Sequence, residues 1–126
     1  MTKELVLIVE DDLASLDFET ASLETAGLAV DGAGSAEVAR EKIARRRPDL
    51  ILMDIQLPGM DGLEFTKQLK ADPKTAGIRV VALTAHTMPI YERAARAAGC
   101  LGFIVKPSSP SVLIAQVRAF LDGATT

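Results

Sequence analysis

The chain is poor in the residues that staple or metallate small proteins. Its 126 residues include one cysteine, Cys100, and one histidine, His86. No internal disulfide can form, which points to a reducing compartment. With no Cys or His partner, His86 is a poor candidate for metal ligation. No apolar run approaches the ~20 residues that a membrane-spanning helix needs, and residues 1–4, Met-Thr-Lys-Glu, lead into a short apolar run with no signal-peptide core. Positive charge is not in excess: 14 Lys and Arg stand against 17 Asp and Glu, a formal net charge of -3. Attraction to nucleic acid or to an anionic membrane is therefore not expected. The local exception, Arg45-Arg46-Arg47, falls at the end of an expected helix, where cations offset the helix dipole. A cytoplasmic protein is the expectation from these absences.

With 48% hydrophobic and 25% charged residues, the composition is that of an ordinary globular protein. The length suits one domain over 1–126, with a core from about 5 to 121 and a short C-terminal tail. The most informative stretch is Leu50 to Gly62, Leu-Ile-Leu-Met-Asp-Ile-Gln-Leu-Pro-Gly-Met-Asp-Gly. Its four leading apolar residues suit a strand buried on both faces, and the run stops at a carboxylate, Asp54. Pro58-Gly59 then forces a turn, and Asp61-Gly62 opens a helix.

The same pattern recurs along the chain. Leu5 to Val9 is a short apolar strand that ends in three acids, Glu10-Asp11-Asp12. Adjacent carboxylates repel, and these follow a strand expected to be buried, so a compensating cation is expected near them. Asp12 is placed to cap the helix over Leu13 to Ala26, with Leu16, Thr20 and Leu23 on one stripe and Gly27 as its stop. Leu28 to Ala33, interrupted by Asp31 and Gly32, is a weaker strand suited to a sheet edge. Ser35 caps a helix through about Arg46 that turns Ala36, Ala39 and Ile43 inward, and Pro48 ends it. After the Asp54 strand, a helix from Asp61 or Gly62 carries Phe65 and Leu69 until Asp72-Pro73. Ile78 to Leu83 is a fourth strand ending at Thr84-Ala85. A helix from near Ile90 to Ala98 follows, then a fifth strand over Leu101 to Val105 that ends at Lys106-Pro107. Ser109-Pro110 opens the last helix, whose Leu113, Val117 and Phe120 share a face. Cys100 fits a small buried filler.

Strand and helix alternate five times, with connections too long for hairpins, which predicts a doubly wound α/β domain. In an open parallel sheet, ligands bind at the carboxyl ends of the strands. Strand ends deliver Glu10, Asp11, Asp12, Asp54, Thr84 and Lys106 to that edge. Clustered hard oxygen donors suit Mg²⁺, which is usually held by one or two carboxylates and keeps several waters. A carboxylate accepts a phosphoryl group when a metal and a lysine neutralise the transferring oxygens. On that logic Asp54 is the nucleophile, Glu10 and Asp11 hold Mg²⁺, Lys106 pairs with one phosphoryl oxygen and the Thr84 hydroxyl donates to another.

Glu10-Asp11-Asp12, Asp54 within Met-Asp-Ile-Gln-Leu-Pro-Gly-Met-Asp-Gly, Thr84-Ala85 and Lys106-Pro107 together resemble a bacterial response-regulator receiver domain. The resemblance spans Leu5 to Leu121 and implies a flavodoxin-like, five-stranded parallel sheet of order 2-1-3-4-5 flanked by five helices. It implies that Asp54 takes phosphate from a phosphohistidine on a sensor kinase or phosphotransfer protein. Mg²⁺ is then expected on Asp11, Asp54 and the backbone carbonyl of Gln56, with Glu10 acting directly or through water. Thr84, with Ala85 beside it, and Phe103 are implied as a coupled switch, and His86 and Gln56 as residues that flank the phosphoryl group and set its lifetime. Phe103 lacks the hydroxyl of the tyrosine found in many relatives, so hydrogen-bond readout by that ring is absent; a plain core aromatic is the alternative.

The chain stops a few residues after its last helix, so the expectation is a stand-alone receiver of the CheY and DivK kind, with no output domain, acting as a monomer or weak dimer. Signalling would pass by protein contact, through a face of the fourth helix, fifth strand and fifth helix where Met88, Ile90 and Tyr91 are expected to be partly exposed. Such a protein is a switch with self-catalysed phosphoryl acceptance and slow autodephosphorylation, rather than an enzyme. Two alternatives stand beside it. One is a small aspartate-nucleophile phosphatase of the haloacid dehalogenase type, which wants a second Asp where this chain has Gln56. The other is a phosphate-independent receiver-like adaptor.

Overall fold

In the computed structural model, which describes residues 3–57, 59–85, 88–106 and 108–123, five strands and five helices alternate. They run β1 (Leu5–Val9), α1 (Leu13–Thr25), β2 (Ala29–Ala33), α2 (Ala36–Arg45), β3 (Leu50–Asp54), α3 (Gly62–Ala71), β4 (Arg79–Thr84), α4 (Pro89–Ala98), β5 (Gly102–Val105) and α5 (Pro110–Leu121). His86, Pro58 and Pro107 lie outside the described residues. All strand pairs are parallel, in the order β2-β1-β3-β4-β5. The expected doubly wound sheet is thus observed, with the broken Asp31-Gly32 strand at one edge.

Alternation along the strands sends side chains to two cores. Val6, Ile8, Leu50, Leu52, Leu83 and Ile104 meet Leu23 of α1 and Leu113, Val117 and Phe120 of α5. On the opposite face Leu7, Val9, Ile51, Met53, Val80 and Ala82 meet Ala39 and Ile43 of α2, Phe65 and Leu69 of α3, and Ala95 of α4. The central strands β1, β3 and β4 are therefore apolar except at their ends, at Asp54, Arg79 and Thr84, because both of their faces are covered. Cys100 fills space in the second core, where burial pushes its thiol up to about 11.

The helix boundaries follow local chemistry. Asp12, Ser35, Asp61 and Ser109 each accept a backbone N–H at the start of α1, α2, α3 and α5. Gly27 and Gly99 take the positive φ that closes α1 and α4. The strands at Arg79 and Gly102 begin one residue later than Ile78 and Leu101, and α2 ends at Arg45. Arg47 does not serve the α2 dipole as expected: its guanidinium donates to the Lys74 carbonyl at 2.7 Å, fastening the turn after α3.

The larger departure is α1. Leu23 is buried as expected and half-buried Leu16 packs against the same core, but Thr20 is only half-buried and the helix also turns Glu19 and Ser22 inward. Ser22 is satisfied by donating to the Phe18 carbonyl at 2.8 Å. Glu19 is 4% exposed, and among the described residues its Oε1 has no hydrogen-bond partner. Burial, with some help from Asp54 and Asp12 and against Lys106, pushes its carboxyl up to about 7.

Two outcomes follow from this packing. A Cβ on Gly62 would overlap the Asp54 carbonyl oxygen and lie 2.9 Å from Met53 Cγ, so Gly62→Ala is expected to destabilise by about 1–3 kcal/mol or more in urea unfolding. Between pH 4.5 and about 7 the folded protein keeps a proton on Glu19 that the unfolded chain releases, so this group makes stability fall as pH rises through that window. The stabilisation gained by Glu19→Gln should therefore be larger at about pH 8 than at about pH 5, by roughly 1 kcal/mol or more. Equal gains at both pH values would contradict the buried, uncompensated state of this carboxyl.

Candidate functional site

The site lies at the carboxyl edge, where β1 and β3 are neighbours at the point from which the chain winds outward in both directions. The register sets Val9 beside Met53. The residues that follow, Glu10 and Asp11 on one strand and Asp54 on the other, therefore meet across a single strand spacing. One carboxylate oxygen from each of Glu10, Asp11 and Asp54 lies within 4.8 Å of the others.

The three consecutive acids after β1 have three different fates. Glu10 is fully buried; its backbone N–H donates to the Ala33 carbonyl at 2.9 Å and its Oε1 accepts from Lys106 Nζ at 2.7 Å. Asp11 is exposed at the lip of the site. Asp12 caps α1, taking the Ser15 N–H at 3.1 Å and its hydroxyl at 2.6 Å, and these bonds hold its carboxyl below the usual range. The cation expected beside the triplet is Lys106, brought from the far end of the chain by β5.

Asp54 is 6% exposed. Its Oδ1 accepts the Gln56 N–H at 2.9 Å and its Oδ2 lies 3.4 Å from Lys106 Nζ. The loop beyond is closed by the Gly62 N–H reaching back to the Ile55 carbonyl at 3.4 Å. Gly62 can approach that closely because it has no Cβ. At the neighbouring strand tips, the Lys106 N–H donates to the Thr84 carbonyl at 2.7 Å, which fixes the lysine against buried Thr84.

Charge in this cleft is finely opposed. Burial, then the hydrogen bond and charge of Asp54, push Glu10 up to about 8 despite Lys106 beside it. Burial disfavours the Lys106 ammonium, yet its bond to Glu10 and the charges of Asp54 and Glu10 outweigh that and hold it above its ordinary value. Among the described residues, Glu10 Oε2 is buried without a hydrogen-bond partner. An orphaned carboxylate oxygen among three converging acids is what a hard divalent cation would satisfy, so these residues fit Mg²⁺.

The remaining expected residues lie around this centre. The Gln56 side chain and Ala85 are exposed. Phe103, half-buried on β5 opposite Ala82, packs against the core on the α2, α3 and α4 side. His86 lies outside the described residues. Glu19 went unnoticed as a buried acid in the sequence; its only signal was a carboxylate one helical turn from Leu16 and Leu23.

Comparison with known proteins agrees with this geometry. Residues 6–118 match the model of the response regulator receiver domain. The polar-differentiation response regulator DivK of Brucella anthropi is 39% identical over 123 residues, covering 94% of this chain and 97% of that protein. DivK of Brucella ovis is 39% identical over 98% of this chain and all of its own length. Among solved structures, the chemotaxis response regulator CheY4 of Vibrio cholerae aligns with a TM-score of 0.87 at 29% identity, covering 93% of this chain and 98% of its own. The receiver domain of NtrX from Brucella abortus aligns with a TM-score of 0.86 at 27% identity, over 94% and 99%. With a matching sheet order, an acidic cleft and a lysine closing it, the chain belongs to the response regulator receiver domain family.

Proposed function

We propose that this receiver accepts a phosphoryl group on Asp54 from a phosphohistidine of a kinase or phosphotransfer protein and signals by protein contact. The observation that carries the reading is Asp54 held between the Gln56 N–H and the Lys106 ammonium, in a cluster with Glu10 and Asp11. In the transfer, the P–N bond of the donor breaks and a P–O bond to an Asp54 carboxylate oxygen forms, leaving the imidazole to take up a proton. Asp54 starts on a rigid strand end, so little motion is needed to orient it. Lys106, already 3.4 Å from Oδ2, is placed to pair with a phosphoryl oxygen, and Thr84 to donate its hydroxyl to another. Asp11 and Asp54, with Glu10 and the Gln56 carbonyl, would hold Mg²⁺, which when bound neutralises charge on the transferring oxygens.

The switch is assigned to Thr84 and Phe103, with Ala85 between the strand end and the loop that follows. Phe103 sits two residues behind Val105, the register partner of Thr84, so displacement at one strand end can be felt by the ring on the next. Exposed Met88, Ile90 and Val112, at 63%, 58% and 49%, supply apolar surface for a downstream partner on the α4, β5 and α5 face. Among the described residues no helix is long and apolar enough to cross a membrane. The proposal includes action in the cytoplasm as a monomer or weak dimer, in keeping with the receiver family. Slow hydrolytic loss of phosphate resets the switch, with His86 and Gln56 setting its rate.

Incubation with Mg²⁺ and acetyl phosphate should add one phosphoryl group, seen by intact mass and mapped to Asp54. Asp54→Asn should abolish labelling, and Lys106→Ala should slow it by on the order of a hundredfold. Steady turnover of phosphate monoesters would indicate a phosphatase instead, and absence of labelling a phosphate-independent adaptor. Dephosphorylation followed after removal of the donor should change rate in His86→Ala and Gln56→Ala; unchanged rates in both would refute their role in lifetime.

A further inference from the structure

Bounded in part by Lys106, a cavity of about 420 Å³ opens between α1 and the start of α5. Its wall is largely apolar, with Ala14, Phe18, Ile104 and Leu113, and its polar members are Glu19, Lys106 and three serines. This volume is that of a small-molecule site, and a mainly apolar lining with a few fixed polar groups is the usual composition of such sites. Glu19 is 4% exposed, and among the described residues nothing donates to its Oε1. A buried acceptor of this kind is costly unless a partner arrives.

We propose that this cavity binds a small amphiphilic amine, with its apolar body against Phe18, Ile104 and Leu113 and its ammonium paired with the Glu19 carboxylate. The polarity of the ligand follows from the charges present. An anion would meet the carboxylate head-on. A neutral molecule would bring no positive charge to the ionised form of the acid, which burial disfavours. Lys106, whose ammonium is engaged at 2.7 Å by Glu10 and at 3.4 Å by Asp54, compensates Glu19 only in part, through its charge. Phe18, 41% exposed at the mouth, adds a ring on which an aromatic or aliphatic body can rest. Because Lys106 forms part of the wall, an occupied cavity abuts a residue of the phosphoacceptor cleft.

Phenethylamine titrated into isotope-labelled protein tests the site, with phenethyl alcohol as its neutral counterpart. Saturable shifts of backbone amides over residues 14–19 and 108–113 are expected, with a dissociation constant on the order of 1 mM for a probe of this size. Glu19→Gln, and separately the replacement of amine by alcohol, should each weaken binding about tenfold. Ala14→Trp, which fills the mouth from an exposed helical position, should abolish it. Thermal unfolding establishes that the variants fold; if Glu19→Gln does not, the alcohol and Ala14→Trp comparisons decide. The proposal is overturned by the absence of saturable shifts, by equal binding of amine and alcohol, or by amine shifts that centre on Glu10, Asp11 and Asp54 and persist in Ala14→Trp.

Discussion

The ammonium of Lys106, 2.7 Å from Glu10 and 3.4 Å from Asp54, is the contact on which the functional edge depends. Without it, a fully buried Glu10 and a nearly buried Asp54 would face each other across adjacent strand tips. Burial and the charge of Asp54, which already push Glu10 up to about 8, would then act without an opposing cation. With it, oxygens of Glu10, Asp11 and Asp54 converge to within 4.8 Å of one another. The arrangement is still not fully compensated: Glu10 remains well above its ordinary carboxylate range. A site of this kind is poised for added positive charge rather than at rest without it.

The rest of the fold serves to bring that lysine across the molecule. Glu10 and Lys106 are separated by most of the chain, and only the order β2-β1-β3-β4-β5 places their strand tips around Asp54. Two apolar cores hold the strands in register, and backbone bonds from Lys106 to Thr84 and from Gly62 to Ile55 fix the exits from the sheet. Stability and function therefore share residues. Gly62 is required for packing under β3, and it also permits the tight loop that orients Asp54.

Much of this was legible in the sequence because buried strands and helix caps leave strong local marks. Leu50 to Met53 running into Asp54, Ser35 before α2 and Gly99 after α4 each announce their role through the spacing or backbone freedom of the residues concerned. The convergence of Glu10, Asp54 and Lys106 was legible only through the resemblance, since strand order is a long-range property that no short motif states. What stayed hidden were cases in which tertiary contact overrode local pattern. In α1, polar and apolar residues are spread around the axis, so no local pattern marked Glu19 and Ser22 as residues to be buried beside Leu23. Arg47 likewise looked like one of three dipole-balancing cations until the turn after α3 supplied a carbonyl for it.

The central claim, that Glu10, Asp11 and Asp54 form one cation-binding unit under the control of Lys106, is tested most directly by titrating Mg²⁺ into isotope-labelled protein and following its backbone amides. Saturable shifts confined to Glu10–Asp12, Asp54–Leu57 and the Thr84 and Lys106 strand ends, lost in Asp11→Asn, are predicted. Shifts scattered over the acidic surface, or a response unchanged in Asp11→Asn, would contradict it.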